Sequence, residues 1–463
     1  MKKLLSFFCA GTLIVFAGSG AAFAQETNAV ANTNSPTWIS RPLSLMDSLN
    51  IALQQNAAIL KAKNDLEASH GIVIQTRAVA LPQLRATGQY KDTDPGAIES
   101  FPIPGGFVQP HENWNAGVQL VQSIYEGGKM AAAFRAADAT KKQALAQYQT
   151  IVADALLATR IAYYDVLLAA QEITVHEASV NLLQKELEDQ QRRYKAGTVP
   201  KFNVLRAEVA VANERPNLIQ ARNNYRIAKN NLSNLLGYNL PRDIWEDVPL
   251  KLTDTLEATP YDVNLPDAIQ QALTQRTELV ALRETEKLQK LNIVNAKAGY
   301  KPTVQLFAGY NWFNAQFTAP VTLDHDIHGW NAGAQVSWDI FDGMLTRGKV
   351  VQANALYEKS KTDLIDESRQ IELDVRTAYS SFIEARDVLE SQKTVQAEAE
   401  EALNEARQRA AAGTGTQLDV LDAETSLTQA RTTQIQALHD YATARARLER
   451  AIGENMIQTV AAK

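Results

Sequence analysis

The chain repeats itself with a period of 216 residues. Residues 114–117 (Trp-Asn-Ala-Gly) return as residues 330–333, and residues 196–198 (Ala-Gly-Thr) return as residues 412–414. One displacement that holds over separate patches indicates a duplicated structural unit, with the same elements in the same order in both copies. Because the period is far longer than that of a solenoid, each copy is expected to be a domain-sized set of elements.

Residues 1–24 are predicted to be a secretory signal peptide. Lys2 and Lys3 form a charged start, an apolar run follows, and residues 22–24 (Ala-Phe-Ala) place small residues at the spacing of a cleavage site. A membrane anchor is the alternative, but the run is short and no stop-transfer pattern follows it. Cys9, the only cysteine, lies inside this segment, so the mature chain would contain neither a disulfide nor a catalytic thiol.

The charge and hydropathy of the chain exclude two classes of protein. Removal of the two signal lysines changes the formal charge from −6 to −8, and a mildly acidic exported protein is not expected to bind nucleic acid through general electrostatic attraction. After residue 24, no stretch approaches the roughly 18 consecutive apolar residues that a spanning helix needs. An exported chain of this kind is either soluble or a β-barrel, because closed barrels also satisfy every backbone group in lipid.

Long helices are predicted in both copies. Residues 130–195 contain neither Pro nor Gly, and an unbroken helix of that size would be about 100 Å long. Apolar residues spaced by seven within it are typical of a coiled-coil seam, so other long helices are expected beside it. These seam residues are Ile161, Leu168, Val175 and Leu182. A turn at 197–200 and a return helix over about 203–236 complete the hairpin, and the second copy repeats it with a turn at 413–415.

Strands are predicted between the helices, in hairpins at 83–125 and 302–341. Apolar and polar residues alternate there with a period of two, which marks β-strands. The apolar faces end in Trp or Tyr, as in the aromatic girdles of outer-membrane barrels. The alternative is a soluble two-sided sheet with these aromatic residues in its core. The apolar faces include Leu84, Tyr90, Trp114, Val118 and Leu120 in the first copy and Leu306, Tyr310, Trp312, Trp330, Val336 and Trp338 in the second.

The domain organisation follows from these patterns. The predicted parts are an N-terminal segment at 25–43, a first repeat at 44–236 with its helical tip near 196–203, a joint at 237–264, a second repeat at 265–453 with its tip near 412–419, and a tail at 454–463. Four strands per chain cannot close a barrel, since barrels begin at about eight strands. The chain is therefore expected to oligomerise, with two copies giving eight strands or three copies giving twelve.

This organisation resembles the TolC family of outer-membrane efflux and secretion channels over nearly the whole mature chain. The most specific segments are the two tips, at 196–208 and 412–424, and the helix starts at 45–53 and 265–273 also look like that family. The resemblance implies a mixed α and β fold that is mostly α-helical, with long antiparallel coiled-coil helices and two β-hairpins per chain. It also implies a homotrimer, in which a twelve-stranded outer-membrane β-barrel stands on an α-helical barrel.

The resemblance further implies a function and partners. The chain would be the passive exit duct of a tripartite efflux or type I secretion system in the outer membrane of a Gram-negative bacterium. Its partners would be outer-membrane lipid, a periplasmic adaptor and an inner-membrane transporter of the RND, ABC or MFS type. The main alternative is a periplasmic or surface coiled-coil scaffold or adhesin without channel activity. A porin-like pore is a third option, although porins do not need such long helices.

Two acidic residues of the second tip are candidates for the periplasmic entrance. Asp419 and Asp422 are three residues apart, so they share a face of a helix. In the family this pattern lines the entrance, and threefold symmetry would produce two stacked rings of carboxylates. Such rings favour cations in a pore, and mutual repulsion is expected to raise some of their pKa values. A pair of solvated helix carboxylates is the alternative.

The tips also carry candidate gate and docking residues. Asn203 stands where the best-known members of the family carry Asp, Gly415 where they carry Arg, and Ala410 where they carry Tyr. The family's locking contacts are therefore expected to be missing, and Arg206 is a further gate-related position. Candidates for adaptor docking, which could equally be ordinary turn residues, are Gly197, Thr198, Val199, Gly413, Thr414 and Leu418.

The remaining motifs predict no catalytic or cofactor chemistry. His325 and His328 could hold a metal, but they lie in a predicted outer loop, and an exposed polar loop is the preferred interpretation. No nucleophile elbow, phosphate loop, HExxH motif or Cys cluster occurs in the sequence. The chain is expected to be no enzyme and to bind no cofactor.

Overall fold

The computed structural model describes residues 41–94, 97, 112–238, 247–318 and 322–454. The predicted signal peptide, the loop near 101–106 and the C-terminal tail beyond residue 454 lie outside the described residues. The helices are α1 (Leu45–Gln55), α2 (Ala57–Ala78), α3 (Lys129–Lys195), α4 (Lys201–Leu235), α5 (Leu265–Gln275), α6 (Thr277–Lys297), α7 (Leu345–Ala411) and α8 (Gln417–Ile452). The strands are β1 (Gln83–Asp92), β2 (Glu112–Glu126), β3 (Thr303–Thr318) and β4 (Thr322–Ser337).

The sequence repeat reappears as a repeat of elements. The long helices α3 and α7 have 67 residues each, and both their ends are displaced by 216 residues. The return helices α4 and α8 have 35 and 36 residues and start at the same displacement. In contrast, α1 and α5 start 220 residues apart. The two displacements differ by four residues, and this difference therefore arises between α1 and α3 in the first copy and between α5 and α7 in the second.

The helical segment that precedes each hairpin is broken in two, where the sequence pattern predicts one helix. In the first copy the break is at Asn56, whose ψ of 127° is extended. Its side-chain Oδ1 accepts a hydrogen bond from Ala58 N at 2.8 Å, and its Nδ2 donates to Leu235 O at 2.8 Å. The break thus caps the second helix and ties it to the end of α4. Arg276 occupies the same place in the second copy, with a ψ of 123°.

The four strands form one antiparallel sheet in the order β1-β2-β3-β4. The aromatic residues on its apolar face are exposed in the single chain: 81% of Trp330, 57% of Trp338 and 50% of Tyr310 is accessible. They do not form a core, so the alternative of a soluble sheet with these residues inside is wrong. Strands β1 and β4 each leave one edge without a partner strand in the described part of the chain.

The helices lie side by side in the order α4, α3, α8, α7, because the two helical hairpins pack through α3 and α8. Two apolar clusters form the core at the level of the joint, one around Tyr163, Val166 and Leu232 and one around Phe382 and Leu448. Helices α4 and α7 are left at the two edges. No helix in the described ranges is both long and apolar enough to cross a membrane.

The predicted coiled-coil seam of α3 is only half-buried. Fully buried positions lie beside it, at Val180 and Leu183, while Leu182 packs against a cluster with Leu403 and Val420. The physical reason is that α3 contacts helices on several sides, α4, α8, α2 and α6, rather than one partner along a single seam.

Candidate functional site at the helical tips

Both hairpin tips are built by the same glycine-terminated turn. In the first tip, Gly197 has a φ of +72° and Thr198 N donates to Arg193 O at 2.9 Å. In the second tip, Gly413 has a φ of +76° and Thr414 N donates to Arg409 O at 3.0 Å. A left-handed residue followed by this six-to-one hydrogen bond is the Schellman termination of a helix. The repeat therefore places two equivalent turns side by side.

The carboxylate of Asp419 is used to start α8. It accepts a hydrogen bond from Thr416 N at 2.8 Å, while Thr416 Oγ1 accepts one from Asp419 N at 3.3 Å. This reciprocal capping box lowers the pKa of Asp419 below its ordinary value. Asp422 lies one turn further along and is exposed, as is Asp419. In the single chain, capping therefore lowers the pKa of Asp419. The repulsion expected between copies would raise that pKa, and it needs the assembled ring.

The two tips are joined by a backbone atom of the predicted gate residue. Gln417 Nε2 donates to the carbonyl oxygen of Asn203 at 3.2 Å. The side chain of Asn203 takes no part in this bond. Gly415 packs tightly on the end of α7, since a Cβ built there would lie 3.0 Å from Ala410 N. A larger residue at 415 would have to push the turn away from α7.

A cavity of about 980 Å³ lies between the two tips and contains three unpaired acceptors. Gln190 Oε1, Gln417 Oε1 and Glu424 Oε2 are buried and accept no hydrogen bond from the described residues. The predicted gate positions Asn203, Arg206 and Gly415 all line this cavity. The structure thus places the three gate-related residues around a cavity that also has three buried amide and carboxyl oxygens in its lining residues, and the sequence pattern did not reveal those oxygens.

Glu424 is the most buried carboxylate of the tips, with 3% of the residue exposed. Arg407 Nη2 donates to its Oε1 at 3.1 Å. Burial raises the pKa of Glu424, and the negative charge of Glu186 adds to the effect, while Arg407 opposes both. The sequence contained one signal for this position, because Val420, Glu424 and Leu427 have the spacing of an apolar stripe and only the middle residue is charged.

The predicted docking residues lie on the outer surface of the tips. Gly197, Thr198, Gly413, Thr414 and Leu418 are exposed, and Val199 is half-buried. The two tips differ in charge. Residues 192–206 contain five Lys or Arg and no carboxylate, whereas the equivalent residues 408–422 contain one Arg and two exposed carboxylates. The first tip therefore presents a positive surface and the second a negative one.

The histidine pair of the second copy lies in strand β4, so the expectation that it sits in a loop is wrong. Continued pairing with β3 extends the ladder through this segment, with Trp312 opposite His328. Nδ1 of His328 and the hydroxyl of Tyr310 are 2.7 Å apart. The side chain of His325 lies outside the described residues. Among those that are described, no group of three or more His, Cys, Asp or Glu has the geometry of a metal site.

Comparison with known proteins identifies the family. The family model described as outer membrane efflux protein matches residues 48–238 and 268–454. Outer membrane protein TolC of Escherichia coli is 24% identical over 426 residues, which cover 90% of this chain and 83% of TolC. Cobalt-zinc-cadmium resistance protein CzcC of Cupriavidus metallidurans is 24% identical over 457 residues, which cover 98% of this chain and all of CzcC.

Solved structures show the same fold. The Campylobacter jejuni CmeC outer membrane channel superimposes with a TM-score of 0.75 at 16% identity, over 89% of this chain and 86% of that one. The open state of the Neisseria gonorrhoeae MtrE outer membrane channel gives a TM-score of 0.71 at 18% identity, over 89% of each chain. Since the family model covers both repeats and both tips, the chain belongs to the outer membrane efflux protein family.

Proposed function

We propose that the protein is the outer-membrane exit duct of a tripartite efflux or type I secretion system, and that it works as a homotrimer. It conducts substrates passively, after an inner-membrane transporter and a periplasmic adaptor have delivered them. The observation that carries this proposal is the pair of unequal, unpartnered edges of the chain, which suit a closed ring of copies. Membership of a family of channel and transport proteins supports it.

The two open edges of the sheet are the first feature that supports a closed ring of copies. Strand β1 forms one edge and strand β4 the other, and an open strand edge exposes a row of unpaired backbone groups. Pairing of β4 with β1 of the next copy would remove both edges. Such a contact joins two different surfaces, so it closes into a ring when the rotation between copies fits. Three copies would give the twelve strands that the resemblance implies.

The helical edges support it independently, because their charges are opposite. Helix α4 has six Lys or Arg against two Glu, and residues 384–405 of α7 have seven carboxylates against two basic residues. Both edges also expose apolar side chains, among them Ile219 on α4 and Val388 and Val395 on α7. Opposite potentials and apolar stripes are what an interface between copies needs.

The register of these edges brings opposite charges to similar heights, within one or two residues. Helix α4 starts at the tip with Lys201 and α7 ends at the tip with Ala411, so in neighbouring copies related by rotation they run antiparallel at the same height. With the same rise per residue, Arg215 is level with Glu398 and Arg226 with Glu384. Arg215 and Arg226 share a face with Ile219, and Glu384 and Glu398 share a face with Val388 and Val395. All four charged side chains belong to exposed residues.

The tips would form the periplasmic entrance of this duct. Three copies would place Asp419 and Asp422 in two carboxylate rings, which favour cations. The bond from Gln417 to the Asn203 carbonyl would hold the two tips together in place of a side-chain lock. The exposed turns at 196–199 and 412–414 would dock the adaptor, and their opposite charges would give the adaptor two different sites.

The identity of the transported substrate is expected to depend on the transporter and adaptor rather than on the duct. Relatives include CzcC, which is named a cobalt-zinc-cadmium resistance protein, and AprF of Pseudomonas aeruginosa, which is named an alkaline protease secretion protein. Ions and folded or unfolded proteins differ too much in size and charge for one pocket to select them. We therefore propose that the transporter and adaptor select the substrate and that the duct sets only the charge preference.

Purified protein in planar lipid bilayers tests the proposed function. We expect discrete, cation-favouring single-channel currents, together with detergent-dependent extraction from membranes and heat-modifiable migration in gels. A protein found in a soluble periplasmic extract, without channel currents, would instead support the scaffold alternative.

A further inference from the structure

We propose that Glu424 is a proton-controlled gating residue, which holds the two helical hairpins together when it is neutral and lets them separate when it is ionised. The inference rests on the proposed channel function and names a regulator of its entrance. It places the control of the entrance behind the exposed aspartates, inside the interface between α3 and α8.

The position of Glu424 between two cavities carries the first step. It lines both the 980 Å³ cavity at the tips and a second cavity of about 620 Å³ further from the tips. Both cavities lie between the α3–α4 hairpin and α8. Glu424 therefore lies within the interface between the hairpins with a cavity on either side of it, beside the apolar cluster that contains Leu183 and Leu421.

Further from the tips the same interface is held by ion pairs. Arg450 Nε donates to Asp154 Oδ1 at 2.8 Å, and the distance from His439 Nε2 to Asp165 Oδ1 is 2.7 Å. Nearer the tips, the described contacts across it are a hydroxyl hydrogen bond from Thr428 to Ser179 at 3.2 Å, the amide hydrogen bond from Gln417, and two apolar clusters. Ion pairs thus hold the interface near the joint, whereas apolar contacts and hydrogen bonds between uncharged groups hold it towards the tips, where a buried charge would be disfavoured.

Two charged residues shift the pKa of Glu424, one as a counter-charge and one as a like charge. Helix α7 supplies one counter-charge, Arg407, whose side chain is 42% exposed and therefore screened by water. Helix α3 supplies the like charge of Glu186, and α4 supplies Glu214, which lies 2.8 Å from His176 across the second cavity. The other charged side chains that line the two cavities are Glu172, Lys185, Asp189, Arg192 and Arg193 on α3 and Arg206 on α4, and Asp189 pairs with the two arginines.

The hydrogen-bond inventory favours the neutral form. Glu424 Oε2 accepts nothing within the described chain, and the other buried acceptors without a partner in the tip cavity are Gln190 Oε1 and Gln417 Oε1. Protonation of Oε2 converts an unpaired acceptor into a hydrogen-bond donor. An ionised, buried carboxylate with one free oxygen instead carries an uncompensated desolvation cost.

The sign of the pH effect follows from linkage. Burial raises the pKa of Glu424 above its ordinary value of 4.5, and separation of the hairpins would return the group to water and to that value. The closed interface therefore binds more protons than the separated one, so a fall in pH favours closure and a rise in pH favours opening. The effect develops between 4.5 and the raised pKa. In the single chain the capping hydrogen bonds lower the pKa of Asp419, away from this window.

The test is single-channel conductance of the full-length trimer as a function of pH, upward from 4.5, the ordinary pKa of the group, for the native protein and matched variants. Native channels are expected to open as the pH rises. Glu424→Gln, an isosteric mimic of the neutral acid, should stay closed and lose the pH dependence, whereas Glu188→Gln, at an exposed position of α3 that lines neither cavity, should keep it. Glu186→Gln should move the midpoint to lower pH by removing a like charge, and Arg407→Gln should move it to higher pH.

The outcomes separate the inference from the proposed function. Absence of channel currents at every pH in the native protein would overturn the channel function itself. Channels that conduct but open identically in the native and Glu424→Gln proteins would overturn the role of Glu424 alone. Opposite shifts for Glu186→Gln and Arg407→Gln would support it, since a merely structural effect would not move the midpoint in two directions.

Discussion

Single side chains at the tips divide into those that shape the turn and those that join the hairpins. Gly413 and Asp419 shape the turn, through a left-handed backbone and a capping box. Gln417 joins the hairpins, because its amide donates to a backbone carbonyl of α4. The side chain in this contact is therefore on α8, while Asn203 contributes a carbonyl oxygen that any residue at this position would supply.

This distinction predicts opposite behaviour for the two partners of one hydrogen bond. Gln417→Ala removes the donor and should raise the resting conductance of the purified channel. Asn203→Ala keeps the carbonyl acceptor and should leave the conductance unchanged. Gln408→Ala, at an exposed position near the same tip, serves as the matched control. A rise in conductance with Asn203→Ala as large as with Gln417→Ala would contradict this account.

At the residue scale the sequence located the tips but not the burial of Glu424 between them. Asp419, Asp422 and the glycine turns could be identified because short local patterns specify them. Glu424 could not, since its burial depends on how α3 packs against α8, and one charged residue in an apolar stripe does not reveal which neighbour covers it. The capping role of Asp419 was also missed, although Thr416 three residues earlier is the ordinary signature of a capping box.

Among the elements, the joints between helices are under tighter steric control than the tips. Gly237, just after α4, has a φ of +75°, and a Cβ there would lie 2.5 Å from Gln55 O at the end of α1. Gly197 at the first tip has a similar φ of +72°, but a Cβ there would meet no other atom within 4 Å. Both need a left-handed backbone, yet only the joint also needs the absence of a side chain.

The two glycines therefore provide a matched pair for stability. Gly197→Ala should cost about 1 kcal/mol, from the left-handed backbone alone. Gly237→Ala should cost about 1–3 kcal/mol more, because the new methyl group overlaps the end of α1. Thermal unfolding of the detergent-solubilised protein, followed by far-UV circular dichroism, measures the difference. Equal melting temperatures for the two variants would show that the close approach to Gln55 is relieved at no cost.

Element types were predictable where the local period was strong, and element breaks were not. The 67-residue helices and the alternating strands each have an unmistakable period. The breaks at Asn56 and Arg276 occur without Gly or Pro. Asn56 is an ordinary N-cap residue, which is a weak signal by itself, and Arg276 makes no side-chain capping bond. Asn56 is held by its bond to Leu235 O, a contact 179 residues away that the sequence does not disclose.

On the scale of the whole molecule, we expect the charged edges to determine how copies meet. Arg215→Glu combined with Arg226→Glu gives α4 the same sign as the facing part of α7, and assembly into the trimer should fail. Glu384→Arg combined with Glu398→Arg should fail for the same reason. The fourfold variant with both edges reversed should assemble again, because the pairs are restored with exchanged signs. Analytical ultracentrifugation in detergent measures the trimer fraction.

Salt provides a second test of the same contact. The two double variants should recover some assembly at high ionic strength, because repulsion between exposed charges is screened over about 3 Å at roughly 1 M salt. Failure of the fourfold variant to assemble, alongside normal folding of its protomers, would mean that α4 and α7 do not face each other in the predicted register.

The equal lengths of α3 and α7 place a constraint on how such a chain changes over generations. If both helices span the same distance from the joint to the tips, an insertion of one heptad in α3 alone would lift one tip by about 10 Å relative to the other. The bond from Gln417 to the Asn203 carbonyl would then be lost, and the ring of alternating tips would become uneven. A duct of new length therefore requires matched changes of helix length in both repeats, so the duplication couples the lengths of the two halves of the chain.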